Sequence, residues 1–187
     1  MVRLIVCVTG MPGSGKTLVA RCIAQELGLY VNMGDVVRAK ASEAGLEPTA
    51  ENLMKLAQEL RRVHGPGVIA KEVARAISSY DGVVVVDGVR SLEEVKVFST
   101  VAPTLVVAVH SSPRTRYSRL RVRGRSDDPG TYNEFQRRDM KELELGIGSV
   151  IALADVVIVN EGEELSSVCG EALKKVRRAM EDVAGQG

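Results

Sequence analysis

Apolar residues in this chain come in short unbroken runs, set apart by longer stretches with helical spacing. The runs are Leu4–Val8, the short Tyr30-Val31, Val83–Val86, Leu105–Val109 and Val156–Val159. Brief, β-branched and without polar alternation, they predict strands, and the last three read as parallel strands covered on both faces. Helices fill the gaps. Leu18, Val19, Cys22, Ile23 and Leu27 fall on one face of a helix that stops at Gly28. Thr49 precedes a helix carrying Leu53, Leu56, Leu60 and Val63, and Gly65-Pro66-Gly67 ends it. Ser91-Leu92-Glu93-Glu94 and Thr131-Tyr132-Asn133-Glu134 both fit a capping box, and Pro113 suits a first helical position after Ser112. The last helix carries Leu165, Val168, Ala172, Leu173, Val176, Met180 and Val183 on one stripe. The alternation predicts an α/β chain around a parallel sheet. No repeat, low-complexity segment or interdomain linker interrupts it, and only Gly185-Gln186-Gly187 is expected to fray.

Composition adds a few exclusions. A length of 187 residues with 45% apolar and 26% charged content suits one domain with a core of its own. Net charge +1 exerts no global pull toward nucleic acid or membrane. The longest valine stretch, Val83–Val86, is far short of a membrane span. The first strand begins after three residues and leaves no room for a signal peptide, so a cytoplasmic protein is expected. Cys7, Cys22 and Cys169 are odd in number, far apart and on apolar faces. They read as small core fillers in a reducing compartment, neither disulfide nor metal site.

The chemistry starts at the end of the first strand. Gly10-Met11-Pro12-Gly13-Ser14-Gly15-Lys16-Thr17 joins that strand to the first helix. Strand, glycine-rich turn and helix together make the context of a phosphate-binding P-loop. Glycines let the backbone turn several N–H groups toward one phosphate chain, and the helix N-terminus adds positive partial charge. In such a loop Lys16 reaches the outer phosphates and the Thr17 hydroxyl ligates Mg²⁺. A nucleoside triphosphate is the expected ligand, against the plain alternative of a glycine turn that merely precedes a helix.

Other strand ends carry polar signals where ligands gather in such sheets. Val83–Val86 runs into Asp87-Gly88-Val89-Arg90, and an acid ending an apolar strand can hold Mg²⁺ through its water shell. Tyr30-Val31 leads into Asn32-Met33-Gly34-Asp35-Val36-Val37-Arg38, which sets an acid and an arginine beside the same edge. A helix start with a dipole-complementing Asp35 and a solvated Arg38 is the plain alternative. From Arg114 to Arg138 the chain holds Arg114, Arg116, Arg119, Arg121, Arg123, Arg125, Arg137 and Arg138 against Asp127, Asp128 and Glu134. Arg116, Arg119 and Arg123 share a helical face. Arginine forks suit phosphate oxygens and stabilise charge on a transferring phosphoryl group. An RNA-binding patch and a solvated helix face are the rival readings.

These motifs together resemble the nucleoside monophosphate kinases of the adenylate kinase type over nearly the whole chain. The Pro-containing loop 10–17 is similar to theirs. Gly34-Asp35-Val36-Val37-Arg38 resembles the family's Gly-Asp-Met-Leu-Arg segment, and Asp87-Gly88-Val89-Arg90 resembles Asp-Gly-Phe-Pro-Arg. The resemblance implies that Arg38 and Arg90 bind the acceptor phosphate, with Asp35 beside them. It implies that Arg119 stacks on the ATP base, that Arg123, Arg125 and Arg138 are catalytic, and that Asn160-Glu161-Gly162 closes over the adenine. More narrowly, Gly-Asp-Val-Val-Arg, Arg-Gly-Arg-Ser-Asp-Asp and Val-Asn-Glu-Gly resemble an archaeal group of adenylate-kinase-related proteins. The implied fold is a three-layer P-loop NTPase: a five-stranded parallel sheet of order 2-3-1-4-5 with helices on both faces. The implied organisation is a single kinase domain over 1–187, a helical acceptor-binding region near 33–79 and a short lid near 119–138.

The implied activity is transfer of the γ-phosphoryl of ATP, with Mg²⁺, to a small phosphorylated acceptor such as a nucleoside monophosphate. Thr17 would ligate the metal, and Asp35 and Asp87 would arrange its water. The chain also departs from the pattern. Only Gly124 separates Arg123 from Arg125, so the lid is nearly deleted; the proline of the Asp-Gly-x-Pro-Arg segment is missing; Leu18 follows Thr17 where the family has Gly-Thr after the lysine. Two alternatives stand beside this reading. An adenylate-kinase-like ATPase of ribosome assembly would turn the arginine cluster toward RNA. A small GTPase would need an Asn-Lys-x-Asp motif, which the chain lacks. His64 and His110 invite a general-base role, but phosphoryl transfer depends on positioning and charge more than on a strong base.

Overall fold

The computed structural model describes residues 1–124, 128–162 and 164–184, and Arg125, Asp127 and the terminal Gly185-Gln186-Gly187 lie outside them. The elements run β1 (Val2–Thr9), α1 (Lys16–Leu27), β2 (Gly28–Asn32), α2 (Met33–Glu43), α3 (Ala50–His64), α4 (Val68–Ile77) and β3 (Gly82–Asp87). They continue α5 (Leu92–Ser99), β4 (Thr104–His110), α6 (Pro113–Arg123), α7 (Tyr132–Glu144), α8 (Ile147–Ala152), β5 (Val156–Val159) and α9 (Leu165–Ala184). All strand pairs are parallel and the order is β2-β3-β1-β4-β5, as the P-loop resemblance implies. Each strand therefore ends on the same edge of the sheet, where β1 delivers the glycine loop and β3 delivers Asp87.

Two cores flank the sheet because successive strand residues point to opposite faces. Leu4, Val6, Val8, Val85 and Val107 pack with Val19 and Ile23 of α1 and Val168, Ala172 and Val176 of α9. Ile5, Cys7, Val84, Val86 and Val106 pack with the helices between α2 and α5 and with Val150 of α8. Two-sided coverage holds for β1, β3 and β4 but fails for β5. Val156 and Ile158 are buried, whereas Val157 and Val159 are exposed on the other face. As an edge strand, β5 is covered on one face only, by α9.

Three local expectations are corrected. The buried stripe of α1 is Val19, Ala20, Ile23 and Ala24, and Leu18 is exposed beside the loop; on α9, Leu165 is likewise exposed. The Ser91 hydroxyl accepts from Glu94 N as a cap should. The Glu94 carboxylate, however, accepts from Arg90 N at 2.7 Å and pairs with Arg61 at 3.1 Å, so no reciprocal box forms. At Thr131 and Glu134 the box is complete.

The cysteine reading is also corrected. Cys22 of α1 and Cys169 of α9 are disulfide-bonded across 147 residues of sequence, while Cys7 is a buried free thiol whose pKa burial raises. Neighbouring helices on one face of the sheet bring the two Cα atoms to 5.7 Å, within the reach of a disulfide. Spacing along the chain carries no trace of that approach. Closing so long a loop restricts the unfolded chain, and reduction or Cys22→Ser should cost about 2–5 kcal/mol. Thermal unfolding with and without reductant measures it; an unchanged Tm in the oxidised wild type and Cys22→Ser would remove the disulfide from the stability account. Among the described residues no helix is long and apolar enough to cross a membrane.

Candidate active site

The loop leaving β1 is shaped by its glycines and pinned from three sides. Gly13 and Gly15 adopt φ of 84° and 89°, which L residues rarely reach. A Cβ at Gly15 would lie 2.4 Å from Asn160 Nδ2, and one at Gly13 would lie 2.8 Å from the Arg116 carbonyl. Glycine is required there for conformation and for space. Ser14 N donates to Met11 O at 3.0 Å, and Ser14 O accepts from Asn160 Nδ2 at 2.9 Å and from Ser111 Oγ at 3.2 Å. Pro12 O accepts from Arg116 Nη1 at 3.1 Å. With Pro12 O and Ser14 O tied to residues outside it, the loop leaves the amides other than Ser14 N for an anion. The Ser14 Oγ is buried with no hydrogen-bond partner among the described residues.

Lys16 and Thr17 open α1. The Lys16 ammonium has no hydrogen bond or ion pair among the described residues. Burial lowers its pKa to about 8, Arg90 and Arg138 push the same way, and Asp87 and Glu142 oppose them. Thr17 is exposed, and its hydroxyl makes no hydrogen bond among the described residues. At the end of β3, Asp87 is 1% exposed. Its Oδ2 accepts from Tyr30 Oη at 2.9 Å and Asn32 Nδ2 at 3.0 Å, while Oδ1 is buried without a hydrogen-bond partner among the described residues. Burial, foremost, raises the Tyr30 pKa and keeps its proton on that bond. Asn32 in turn caps α2 by accepting from Gly34 N at 2.7 Å, so Asp87 and the start of α2 form one unit.

Asp35 stands apart from that unit: its Oδ1 is held by Arg38 on the exposed first turns of α2. Arg90, after β3, lies 3.2 Å from Glu142 of α7. Arg38 and Arg90 open onto one cavity of about 640 Å³ between α2, α3 and α7. Arg61, Arg137, Arg138 and Lys141 line it too, against Glu51, Asp128, Glu134 and Glu142, above an apolar floor of Val37, Leu53, Met54 and Ala57. Arg90, Arg138 and Glu142, which line this cavity, also act on the Lys16 charge, so these three side chains lie within electrostatic reach of the glycine loop.

Arg116, Arg119 and Arg138 are drawn into the protein, while Arg114, Arg121, Arg123 and Arg137 stay on the exposed face that a solvated helix would show. Arg116 is buried and makes a bidentate pair with Asp139. Arg119 donates to Asn160 O at 3.1 Å, Asn160 Oδ1 at 3.0 Å and Ser111 Oγ at 3.0 Å. Arg123 Nε donates to Asp128 Oδ2 at 2.9 Å, and Arg138 Nη1 donates to Asp128 Oδ1 at 3.4 Å, with Asp128 itself only 3% exposed. Glu161 accepts from Ser112 N and from Thr115 Oγ1 at 2.6 Å, bonds that hold its carboxyl below the usual range. The residue loop after β5 is thereby fastened to α6.

Several residues in this network carry no signal in the sequence. None of Tyr30, Arg61, Glu142, Asp139 and Ser111 belongs to a spaced motif; Tyr30 enters on β2 and Ser111 directly after β4, and the packing of α3 and α7 brings in Arg61, Asp139 and Glu142. Asn32 could have been found as the residue before a helix start.

A family model described as an AAA domain matches residues 9–136. A UPF0200 protein of Hyperthermus butylicus is 51% identical over 187 residues, covering 99% of this chain and 97% of its own. The chain belongs to the UPF0200 family. A further member, from Thermococcus kodakarensis, is 47% identical over 165 residues, covering 85% and 89%. Among solved structures, a shikimate kinase from Bacteroides thetaiotaomicron superposes with a TM-score of 0.62 at 13% identity, covering 95% of this chain and 98% of its own. A gluconokinase from Sinorhizobium meliloti 1021 superposes with a TM-score of 0.59 at 18% identity, covering 97% and 96%. At these identities the likeness is one of fold, and the fold is that of P-loop kinases.

Proposed function

We propose that the protein is an ATP-dependent phosphotransferase that moves the γ-phosphoryl of ATP to a small phosphorylated acceptor such as a nucleoside monophosphate. One observation carries this reading: Lys16 shares its electrostatic surroundings with Arg90 and Arg138, which line a separate cationic cavity. A donor-loop lysine that feels the charges of two arginines lining an acceptor cavity suits transfer between two bound anions better than simple hydrolysis. Residues 10–17 would bind the triphosphate, with Arg119 and the Asn160 loop at its base end. Arg38 and Arg90 would hold the acceptor phosphate, with Asp35 orienting Arg38. Arg123, Arg125 and Arg138 would stabilise the transferring group. ATP and such acceptors are cytoplasmic compounds, in keeping with that location.

Magnesium fits the donor set. Asp87 Oδ1 is buried with no hydrogen-bond partner among the described residues, and Thr17 is exposed at the helix start. Thr17 would ligate the ion directly and Asp87 through water; bound there, it would neutralise phosphate charge. Asp35, committed to Arg38, is the weaker of the two acids for that task.

Kinases of gluconate and shikimate among the fold neighbours favour a second reading, a small hydroxy acid as acceptor. A cavity of about 640 Å³ with six cationic side chains favours the larger, more highly charged acceptor. A panel of nucleoside monophosphates, phosphorylated metabolites and hydroxy acids, scored for ADP release against an acceptor-free control, decides between them. With the true acceptor, Arg38→Ala and Arg90→Ala should each raise its KM about tenfold or more. ADP release that no acceptor raises above the acceptor-free rate, together with salt-sensitive RNA binding, would replace this reading with the assembly-ATPase one.

A further inference from the structure

Arg116 stands out in the cationic segment because its charge is spent inside the protein. The residue is 4% exposed. Nη1 and Nη2 donate to the two carboxylate oxygens of Asp139 at 2.8 and 2.6 Å, Nη1 also to Pro12 O at 3.1 Å, and Nε to Ser111 O at 3.2 Å. Four bonds thus engage a guanidinium that has five N–H donors. Its carbon lies 4.9 Å from the centre of the Phe135 ring, itself buried, which closes one face of the group. With Asp139 in place no net charge is left to bind a phosphate, and no donor fork is open to one.

The bonds run to three separate parts of the site. Pro12 belongs to the glycine loop, Ser111 follows β4 and contacts the loop through Ser14 O, and Asp139 sits on α7 directly after Arg138. The Arg116 backbone also bounds the loop, since its carbonyl occupies the space a side chain at Gly13 would need. We infer that Arg116 and Asp139 are a positioning pair that sets the shape of the phosphate loop and ties it to the helix that delivers Arg138. Arg116 holds the Pro12 carbonyl outward, which leaves the following amides turned toward the phosphates. Asp139 fixes the plane of the guanidinium so that this bond is kept. Lysine cannot substitute, because one ammonium on a flexible stem cannot reach Pro12, Ser111 and both Asp139 oxygens together.

This inference rests on the proposed use of the loop for a nucleotide, and the two are separable by experiment. Mg·ADP and Mg·ATP affinity is measured by calorimetry on the full chain, at a temperature where circular dichroism shows each protein fully folded. The wild type is compared with Arg116→Lys, Asp139→Asn and the core variant Phe98→Leu, whose site is remote from the loop. Arg116→Lys is expected to weaken nucleotide binding at least about tenfold and to lower kcat, and Asp139→Asn is expected to do so to a smaller extent. Phe98→Leu is expected to lower Tm with unchanged affinity. If folded Arg116→Lys binds both nucleotides as the wild type does and loses only Tm, the pair is merely structural and the inference is overturned. Should Arg116→Lys fail to fold at any temperature, Asp139→Asn decides the matter by the same two readouts. A wild type that binds neither nucleotide refutes the donor reading itself, a result no variant is needed to obtain.

Discussion

Lys16→Ala is expected to abolish turnover and leave the fold intact. The ammonium is the first charge of α1, without a protein partner among the described residues, and its surroundings hold two arginines against two carboxylates. A cation kept partly desolvated and unpaired costs stability in the resting protein, and a polyphosphate repays that cost on binding. Removal of one preorganised charge from the transferring group slows such reactions by about 10²–10³ or more. Steady-state ADP release at saturating nucleotide measures the effect, and wild-type turnover by the alanine variant would refute the donor role of the loop. The pH dependence has a definite sign. In the free protein Lys16 loses its proton as pH rises through about 8, and phosphates bind the charged form, so nucleotide affinity should fall above that pH. Lys16→Ala should lack this step. The folded-state pKa lies below the ordinary 10.5, so the unfolded chain holds more protons between these values. Stability contributed by this group therefore rises with pH across that window.

The arginines around the lid segment come next in size. Arg123→Ala and Arg138→Ala are each expected to cut kcat by at least about a hundredfold, since catalytic arginines in phosphoryl transfer are worth about 10³–10⁵. In the resting protein both engage Asp128, which is nearly buried. Catalysis by them then requires the transferring phosphoryl group to compete with that carboxylate, which a dianionic group bridged by two arginines can do. Each single variant leaves Asp128 at least one arginine among the described residues, which limits the stability loss to about 1–3 kcal/mol. Rate and stability thus part company, and single-turnover kinetics beside thermal unfolding reads both. Loss of RNA affinity with normal phosphoryl transfer would instead assign these arginines to a nucleic-acid partner. Arg125, proposed as the third member, lies outside the described residues, and its alanine variant belongs in the same series.

A lid as short as the one proposed would have a consequence for every such assay. Between α6 and α7 only residues 124–131 are available to cover the site. A site so lightly covered admits water, and some ATP hydrolysis without acceptor is expected. The acceptor-free rate is therefore the baseline for each variant.

What was legible in the sequence is what depends on local rules. Runs such as Val83–Val86 and Leu105–Val109 read as strands because a strand buried on two faces admits no polar residue. Gly10 to Thr17 read as a phosphate loop because positive φ at Gly13 and Gly15 and close approach by Asn160 and Arg116 tolerate no side chain. The sheet order followed from the resemblance that this loop anchors, and the caps at Thr49, Ser112 and Thr131 from short-range hydrogen bonding. The tertiary structure decided matters that join distant residues. Nothing near Cys22 announces Cys169, and nothing in the spacing of Arg116, Arg119 and Arg123 reveals their separate partners: Asp139, Asn160 and Asp128. Charge and periodicity describe a helix face; which carboxylate meets it depends on how α7 and the β5 loop pack against α6. The sheet order makes β5 an edge with one exposed face, and the approach of α3 turns Glu94 from a helix cap into the inner half of an ion pair with Arg61. Short-range chemistry wrote the loop, and long-range packing chose which of the charges around it remain for a ligand.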